Sequence, residues 1–533
     1  MTKPVTLKEK TGQLFILSVP NEELDEKLKT SIRDYNIGGL ILFQQNLRDF
    51  QKVTSFIQDI QAYAKEVGRP PLWISIDQEG GGIAYLWKNM VVSPGNMLLG
   101  ATGNPTNAYT AHFHMGEQLL NIGFNMNFAP VLDINNNPLN PVIGARSFGE
   151  NKELVTEFGI QSIKGLHDAG ILACGKHYPG HGDTEMDSHL SLPTVDKSLG
   201  ELEAFELYPF HESMNHGLEA VMTAHILYPQ IDPEKPATLS PLILQNILRD
   251  RAGFEGLVIT DSMEMEAIST YFGREKGTVM ALHAGADIIL ACGGDYERQW
   301  GMIDAAIHAV EQGELQEQVI DTAYGRNKAY KKKWIRELSQ DKGNVKLYDS
   351  DSRLKQTMEV IASKGITVVQ DPKNLLPVTS SRDMKPFVIY QTTFNDENYM
   401  GDRKNAAPSI FPKEVYQSFA VQGSEPTDQE SREMVDAIQS RQPVIILLNE
   451  RRQLKRKWRV LMDRLGKKTS GLIVASLWNP QLLEAIPSDS TFIACYSNTE
   501  HVLKALERIL RGEVIPTGKS PVTILGKESD GNA

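Results

Sequence analysis

The sequence predicts a TIM-type (β/α)8 barrel followed by a second, smaller α/β domain. Three observations predict it: eight short apolar segments lie in about the first 330 residues, helix-like segments separate them, and the same pattern restarts after a polar stretch. Short apolar segments without polar alternation are typical of parallel strands covered on both faces. Eight such strands alternating with helices favour a closed barrel, and an open doubly wound sheet is the alternative.

The eight apolar segments are each too short for a typical helix, so we predict that they are strands. The predicted strands are 14–19, 39–43, 72–76, 124–128, 171–175, 220–224, 256–260 and 287–291. Helices are predicted between them, for example over 50–67, 108–121, 153–169 and 242–251.

A polar stretch at 339–352 is predicted to link the two domains. We therefore expect the barrel over residues 1–338 and the linker with the second domain over residues 339–533. The segment 392–414 is rich in Asn, Asp and Pro and is predicted to be a loop. Strands of the second domain are predicted at 365–369, 387–390, 444–448, 471–476 and 492–496.

Composition excludes several classes of protein. The chain has 533 residues and a formal net charge of −12, which argues against a nucleic-acid partner because phosphate contacts need a basic surface. Its three cysteines, Cys174, Cys292 and Cys495, are too far apart for a CxxC metal site. No apolar segment reaches the ~18 residues of a membrane span, and the N-terminus lacks a signal-peptide pattern. We therefore expect a cytoplasmic protein without a membrane partner, of undetermined oligomeric state.

Polar and titratable side chains follow five of the predicted strands. In (β/α)8 barrels the active site forms at the carboxyl ends of the strands, so these side chains are expected to converge on one site. They are Asp77 after 72–76, Asp133 after 124–128, Lys176 and His177 after 171–175, His225 after 220–224, and Asp261 after 256–260.

Each of these positions has an ordinary structural explanation beside the functional one. Asp261 alone could cap the next helix, but among the other strand-end groups it is a candidate catalytic carboxylate. Arg146 could clamp a polar substrate or merely pair with an acid. Lys176 and His177 could donate hydrogen bonds to substrate hydroxyls. Glycines 80–82 would let a ligand approach the backbone closely.

The segment KHYPGHGDTEMDSH at 176–189 concentrates titratable groups. Asp187 and His189 are two residues apart, and a carboxylate beside an imidazole stabilises the protonated ring and makes a proton donor near neutral pH. The structural alternative is a helix cap beside a surface histidine. A metal site is a further alternative, although the spacing matches no common zinc pattern. Its ligands would be His177, His181, Asp183 and His189.

Three segments together resemble glycoside hydrolase family 3, in its β-N-acetylglucosaminidase branch: DQEGG at 77–81, KHYPGHGDTEMDSH at 176–189 and GLVITDSMEM at 256–265. The resemblance covers the whole predicted barrel. In the second domain, the segments 362–378 and 512–524 resemble the beginning and the end of the family's α/β sandwich. The resemblance therefore implies a barrel followed by an α/β sandwich domain.

The resemblance also implies a retaining mechanism through a covalent glycosyl–aspartate intermediate, without a metal or cofactor. Asp261 matches the nucleophile, His189 the general acid/base, and Asp187 the carboxylate that partners this histidine. Most glycosidases use two carboxylates instead. The remaining matched residues would grip the sugar hydroxyls or line the pocket, and they are Asp77, Arg146, Lys176, His177 and His225. By the same match, His181 and Asp183 would shape the loop.

The implied substrate is a small-molecule glycoside: terminal β-linked N-acetylglucosamine on cell-wall (muropeptide) or chitin-derived fragments. The sequence departs from the family pattern at Gly82 and Tyr85, where many members carry arginine. Alternatives within the family are a β-N-acetylglucosaminide phosphorylase and a β-glucosidase. Outside it, the alternatives are a metal-dependent hydrolase and a sugar-binding protein without activity.

Overall fold

The structure is a computed structural model that describes residues 4–184, 192–335, 347–378, 384–392 and 405–526. Its larger part is a barrel of eight parallel strands, β1 to β8. Their bounds are β1 Phe15–Ser18, β2 Gly39–Ile41, β3 Trp73–Ile76, β4 Met126–Asn127, β5 Leu172–Ala173 continued by Gly175–Tyr178, β6 Ala220–Thr223, β7 Leu257–Ser262 and β8 Ile288–Ala291.

The barrel closes through β5, which pairs with a different neighbour along each of its two parts. Its first part pairs with β4 and its second part with β6, while β8 pairs with β1. Every pairing around the sheet is parallel. The prediction of a (β/α)8 barrel is therefore confirmed, and the open-sheet alternative is wrong.

The strands are apolar throughout because both of their faces are buried. Side chains such as Ile16, Trp73 and Met222 fill the inside of the barrel, while Phe15, Ile74 and Val221 pack outward against the helices. This arrangement explains why the sequence shows no period-2 alternation in these segments.

The helices of the chain cover the barrel or the second sheet. None of those in the described residues combines the length and the apolar character needed to cross a membrane. The α-helices before residue 336 are Leu7–Gly12, Glu26–Arg33, Phe50–Glu66, Asn96–Ala101, Pro105–Ile122, Lys152–Ala169, Leu199–Ala204, Tyr208–Asn215, Glu266–Ser269, Arg274–Ala284, Tyr296–Glu311 and Glu317–Trp334, and a π-helix spans Leu242–Arg251. Later α-helices are Ser352–Gly365, Ala407–Ile410, Asp428–Ala437, Arg456–Gly466 and Glu500–Leu510.

The second domain is built on a six-stranded mixed sheet. Its order is β9-β14-β13-β12-β10-β11, and only the β9–β14 pair is antiparallel. The strands are β9 Thr367–Gln370, β10 Phe387–Gln391, β11 Gln417–Val421, β12 Val444–Leu448, β13 Leu472–Ser476 and β14 Thr491–Ala494.

Sequence reasoning finds five of these six strands and misses β11. This strand lies at the edge of the sheet and is only half-buried, so its sequence QSFAV lacks the apolar signal of its neighbours. The short helix Ala407–Ile410 lies within the predicted loop 392–414, of which 393–404 lie outside the described residues. The predicted domain boundary at 338 also lies outside them and stays a prediction.

The two domains pack against each other near the carboxyl ends of the barrel strands. The buried helix Asn96–Ala101 contacts the helix Ser352–Gly365, and Met97 and Leu98 belong to the apolar core of the second domain. The chain end returns to the barrel as well, because the backbone N–H of Glu150 donates to the carbonyl of Pro521 at 3.0 Å.

A buried lysine lies at the opposite end of the barrel. Lys331 is 5% exposed, and its ammonium donates to the side chain of Gln13 and to the carbonyl of Pro71, each at 2.9 Å. Burial lowers the pKa of Lys331 to about 7. The unfolded chain therefore binds one more proton than the folded chain between about pH 7 and the ordinary lysine value.

We predict that Lys331→Met removes a pH-dependent part of the stability. The wild-type chain gains stability as pH rises from about 7 toward 10, because the unfolded chain still carries the proton there and folding must release it. The variant lacks this gain, so the difference between the urea midpoints of the wild type and the variant should grow as pH rises. Urea denaturation at pH 6, 8 and 9.5 measures the effect. Lys332→Met, at the exposed neighbour, is the control and should follow the wild type.

Candidate active site

Two buried cations and two carboxylates form one network at the mouth of the barrel. The ammonium of Lys176, in β5, lies 2.7 Å from Asp77 Oδ1 and 2.8 Å from Glu79 Oε1. Arg146 pairs with the same Glu79 through two bonds, Nε to Oε2 at 2.9 Å and Nη2 to Oε1 at 2.8 Å. Glu79 and Lys176 are each 2% exposed. The network joins three of the predicted site residues through a fourth residue, Glu79.

The charges in this network stabilise each other against burial. Burial disfavours the ionised form of Glu79, but Arg146 and Lys176 overcome it and hold the pKa of its carboxyl well below the usual range. Burial likewise opposes the charge of Lys176, whereas Asp77 and Glu79 raise the pKa of its ammonium. Glu79 and Lys176 are therefore both ionised near neutral pH, and removing the partner of either leaves a buried charge without compensation.

A second buried carboxylate, Asp133, fixes His177. The Nδ1–H of His177 donates to Asp133 Oδ2 at 2.6 Å, and its backbone N–H donates to Oδ1 at 3.1 Å. Asp133 is fully buried; burial opposes its charge, but His177 lowers the pKa of its carboxyl. The proton on Nδ1 leaves Nε2 as an acceptor, 3.4 Å from Nη2 of Arg146. His177 thus links Asp133 to the Lys176–Arg146 network.

The base of the loop that begins with KHYPGHGD is anchored on the barrel. The backbone N–H of His181 donates to Asp133 Oδ1 at 2.7 Å, and the amide of Asn140 donates to the carbonyls of His181 and Gly182, each at 2.9 Å. Burial lowers the pKa of His181 to about 4, so its ring is neutral at pH 7. Asp183 pairs with Lys197 at 2.6 Å.

Asp187 and His189, the predicted proton-transfer pair, lie outside the described residues. Within the described residues, no three His, Cys, Asp or Glu side chains are placed to hold one metal ion. The metal alternative also used His189, so it stays untested.

Asp261 lies near the carboxyl end of β7, half-buried, with Oδ1 accepting from the backbone N–H of Ser262 at 2.7 Å. The Nε2–H of His225 donates to the carbonyl of Ser262 at 3.0 Å, so it supports the strand end that carries Asp261. Burial is the largest cause that raises the pKa of the Cys292 thiol, and the negative charges of Asp261 and Asp77 raise it further. Asp261 and Asp77 therefore both lie close enough to influence the same thiol, that of Cys292.

Two details of the predicted placement are wrong. Lys176 and His177 lie within β5 rather than after it, because the strand continues to Tyr178 and pairs with β6 through a bulge. Asp261 is also within its strand, since β7 extends to Ser262. Polar residues at the ends of these strands do not show the apolar signal that defines the earlier part of each strand.

Sequence reasoning missed the role of Glu79. Its signal was present, because a carboxylate two positions after Asp77 in the segment DQEGGG lies among predicted cation partners. In the structure Glu79 belongs to the short hairpin Gln78–Gly80/Ile83–Ala84, which turns its side chain to Lys176 and Arg146. Asp133 was recognised at a strand end but not as the partner of His177.

We predict that Glu79→Gln damages both the fold and the site. The amide cannot compensate the two buried cations, and breaking such a network costs about 3 kcal/mol or more. The melting temperature should fall by several degrees, and any activity of the site should fall with it. The control is Asp168→Asn, which removes the exposed ion pair of Lys164 and should cost less than about 1 kcal/mol. Equal effects of the two substitutions would contradict the network.

Comparison with known proteins identifies the family of the barrel. Residues 6–327 match the family model described as the glycosyl hydrolase family 3 N terminal domain. The chain is 38% identical over 284 residues to beta-hexosaminidase A of Pseudoalteromonas piscicida, a match that covers 50% of this chain and 48% of that protein. It therefore spans about half the length of that relative. A beta-hexosaminidase of Neisseria meningitidis is 37% identical over 276 residues, covering 50% of this chain and 75% of that protein.

A solved structure matches both domains. It is a glycoside hydrolase family 3 beta-N-acetylglucosaminidase from a Paenibacillus species, with a TM-score of 0.90 and 35% sequence identity. The match covers 98% of this chain and 99% of that one, so the order and packing of the barrel and the second sheet are shared. The family model covers more than half of the chain, and this chain belongs to glycosyl hydrolase family 3.

Proposed function

We propose that the chain is a retaining exo-β-N-acetylglucosaminidase that removes terminal β-linked N-acetylglucosamine from cell-wall or chitin-derived fragments. The proposal rests on the position of Asp261 at the mouth of the barrel. Asp77, Lys176 and the Glu79–Arg146 pair lie at the same mouth. The beta-hexosaminidase relatives and the Paenibacillus beta-N-acetylglucosaminidase support the choice of sugar.

The nucleophile of this proposal is Asp261. Its carboxylate attacks the anomeric carbon, and the bond to the leaving oxygen breaks as the glycosyl–aspartate bond forms. The half-buried position leaves the carboxylate within reach of a ligand in the mouth. Water then attacks the same carbon, releases Asp261 and returns the β configuration.

Proton transfer is assigned to His189 with Asp187. His189 protonates the leaving oxygen in the first step and accepts a proton from water in the second. Asp187 holds the ring and stabilises its charged form. The described base of their loop, at His181 and Gly182, is fixed on Asp133 and Asn140, which supports delivery of the pair to the mouth of the barrel.

The buried network binds the sugar in this proposal. A lysine ammonium has three N–H donors, and Asp77 and Glu79 take two of those of Lys176. The third donor is available to a sugar hydroxyl, and the side chain of Asp77 is 20% exposed and can accept from another. Arg146 and His177 hold these groups in place, so the sugar meets donors and acceptors that need no rearrangement.

Asp261→Ala should abolish turnover of an aryl β-N-acetylglucosaminide, because no other group forms the glycosyl-enzyme bond. We expect kcat to fall by at least about 10³-fold. The control is Asp250→Ala, an exposed aspartate on the helix Leu242–Arg251, which should keep wild-type kcat. Wild-type turnover by the Asp261 variant would disprove its assignment, and faster turnover of the matching aryl β-glucoside by the wild type would move the chain to the β-glucosidases.

His189→Ala should affect substrates according to their leaving groups. A poor leaving group such as an alkoxide needs the proton, whereas 2,4-dinitrophenolate leaves without it. We expect a loss of about 10²-fold or more for the alkyl glycoside and a far smaller loss for the dinitrophenyl glycoside. Equal losses on the two substrates would contradict the acid role.

Phosphorolysis by the same residues would have phosphate attack the glycosyl-enzyme in place of water. A histidine repels this anion less than a second carboxylate would. The proposal of hydrolysis predicts free N-acetylglucosamine as the product in phosphate buffer. Formation of the sugar 1-phosphate instead would make the chain a phosphorylase.

A further inference from the structure

Gly82 lies directly against Trp478 of the second domain. A β-carbon placed on Gly82 would be 1.6 Å from Cζ3 and 2.1 Å from Cη2 of the indole. Gly80 and Gly81 have φ angles of +95° and +58°, in the region that favours glycine, but Gly82 has no such angle. Glycine is therefore required at 82 by the indole ring and not by the backbone.

Trp478 is held firmly in this place. It follows strand β13 and is 4% exposed. The guanidinium of Arg451 lies over its ring, 5.7 Å from the centroid. A cation over an indole face is attracted to it.

Arg451 connects this ring to the sugar-binding network. Its Nη2 donates to the carbonyl of Val142 at 3.2 Å, and Nη1 of Arg146 donates to the same carbonyl at 3.3 Å. Arg146 in turn pairs with Glu79, as described above. One backbone oxygen thus joins the cation that packs on Trp478 to the cation that holds Glu79.

Trp478 and the buried network also line the same crevice. A crevice of about 10 Å³ lies between the hairpin and the second domain, and Glu79, Gly82, Arg146 and Trp478 all line it. This volume admits about one water molecule. The indole therefore closes the space behind the Glu79–Arg146 pair.

We propose that Trp478 is a positioning residue for the sugar subsite and that the second domain completes this subsite through it. The inference rests on the proposed function for the identity of the sugar. The indole packs on the hairpin at Gly82 and so fixes Glu79, while Arg451 and Val142 fix Arg146 from the other side. The second domain thus supplies an aromatic wall beside the hairpin that carries Glu79. A barrel cut off from its second domain would have an open subsite.

The test is a pair of substitutions that exchange volume between the two positions. Gly82→Ala alone should raise KM for the aryl β-N-acetylglucosaminide about tenfold or more, because the methyl group pushes the indole and the hairpin apart. Trp478→Ala alone should raise KM by a similar factor while kcat changes less than about threefold. In the double variant the methyl group enters the space that the indole leaves, so Gly82→Ala should add almost nothing.

Conservative and matched substitutions separate positioning from general stability. Trp478→Phe keeps an aromatic wall and should recover most of the wild-type KM. Trp458→Phe is the control, because Trp458 is a fully buried tryptophan in the core of the same domain. It should lower the melting temperature without changing KM. If Trp478→Ala does not fold, Gly82→Ala and Trp478→Phe still report on KM.

The outcomes distinguish this inference from the proposed function. An active wild-type chain with additive effects at 82 and 478, or with an unchanged KM in folded Trp478 variants, overturns the inference alone. A wild-type chain without turnover overturns the proposed function. Calorimetric binding of N-acetylglucosamine then replaces KM: coupled losses of affinity support the inference, and additive losses or absent binding overturn it.

Discussion

The site depends on one constraint: the ammonium of Lys176 is buried in the wall of the barrel and must be neutralised there. Asp77 and Glu79 supply the negative charge, and Glu79 is itself compensated by Arg146. Desolvation of such charges is costly, and only complete pairing with good geometry offsets it. The strand β5, the hairpin that carries Glu79 and the segment before Arg146 must therefore stay in their relative positions.

Much of the fold could be predicted because burial on both faces leaves a plain signal in the chain. Segments such as GLVIT at 256–260 and DIILA at 287–291 are apolar without alternation, and each is close to a strand of the barrel. The signal fades where a strand becomes polar, so β5 and β7 continue further than predicted. It is also weak at a sheet edge, where β11 is half-buried.

The site was predictable to the extent that the barrel fixes which end of each strand carries it. Asp77, Lys176, His177 and Asp261 were predicted to lie at this end of the barrel, because each is at or near the end of an apolar segment. The contact of Gly82 with Trp478 was not predictable, since it joins residues from two domains and no local pattern marks it. The same holds for the hydrogen bonds from Arg146 and Arg451 to the carbonyl of Val142.

The central claim is that Asp261 forms a covalent bond to the sugar. The most direct measurement is inactivation with a 5-fluoro N-acetylglucosaminyl fluoride, followed by peptide mass analysis of the trapped protein. The account predicts first-order inactivation and one labelled peptide, with the sugar on Asp261. A label on another carboxylate, or unlabelled protein that hydrolyses the reagent without a covalent intermediate, would contradict it.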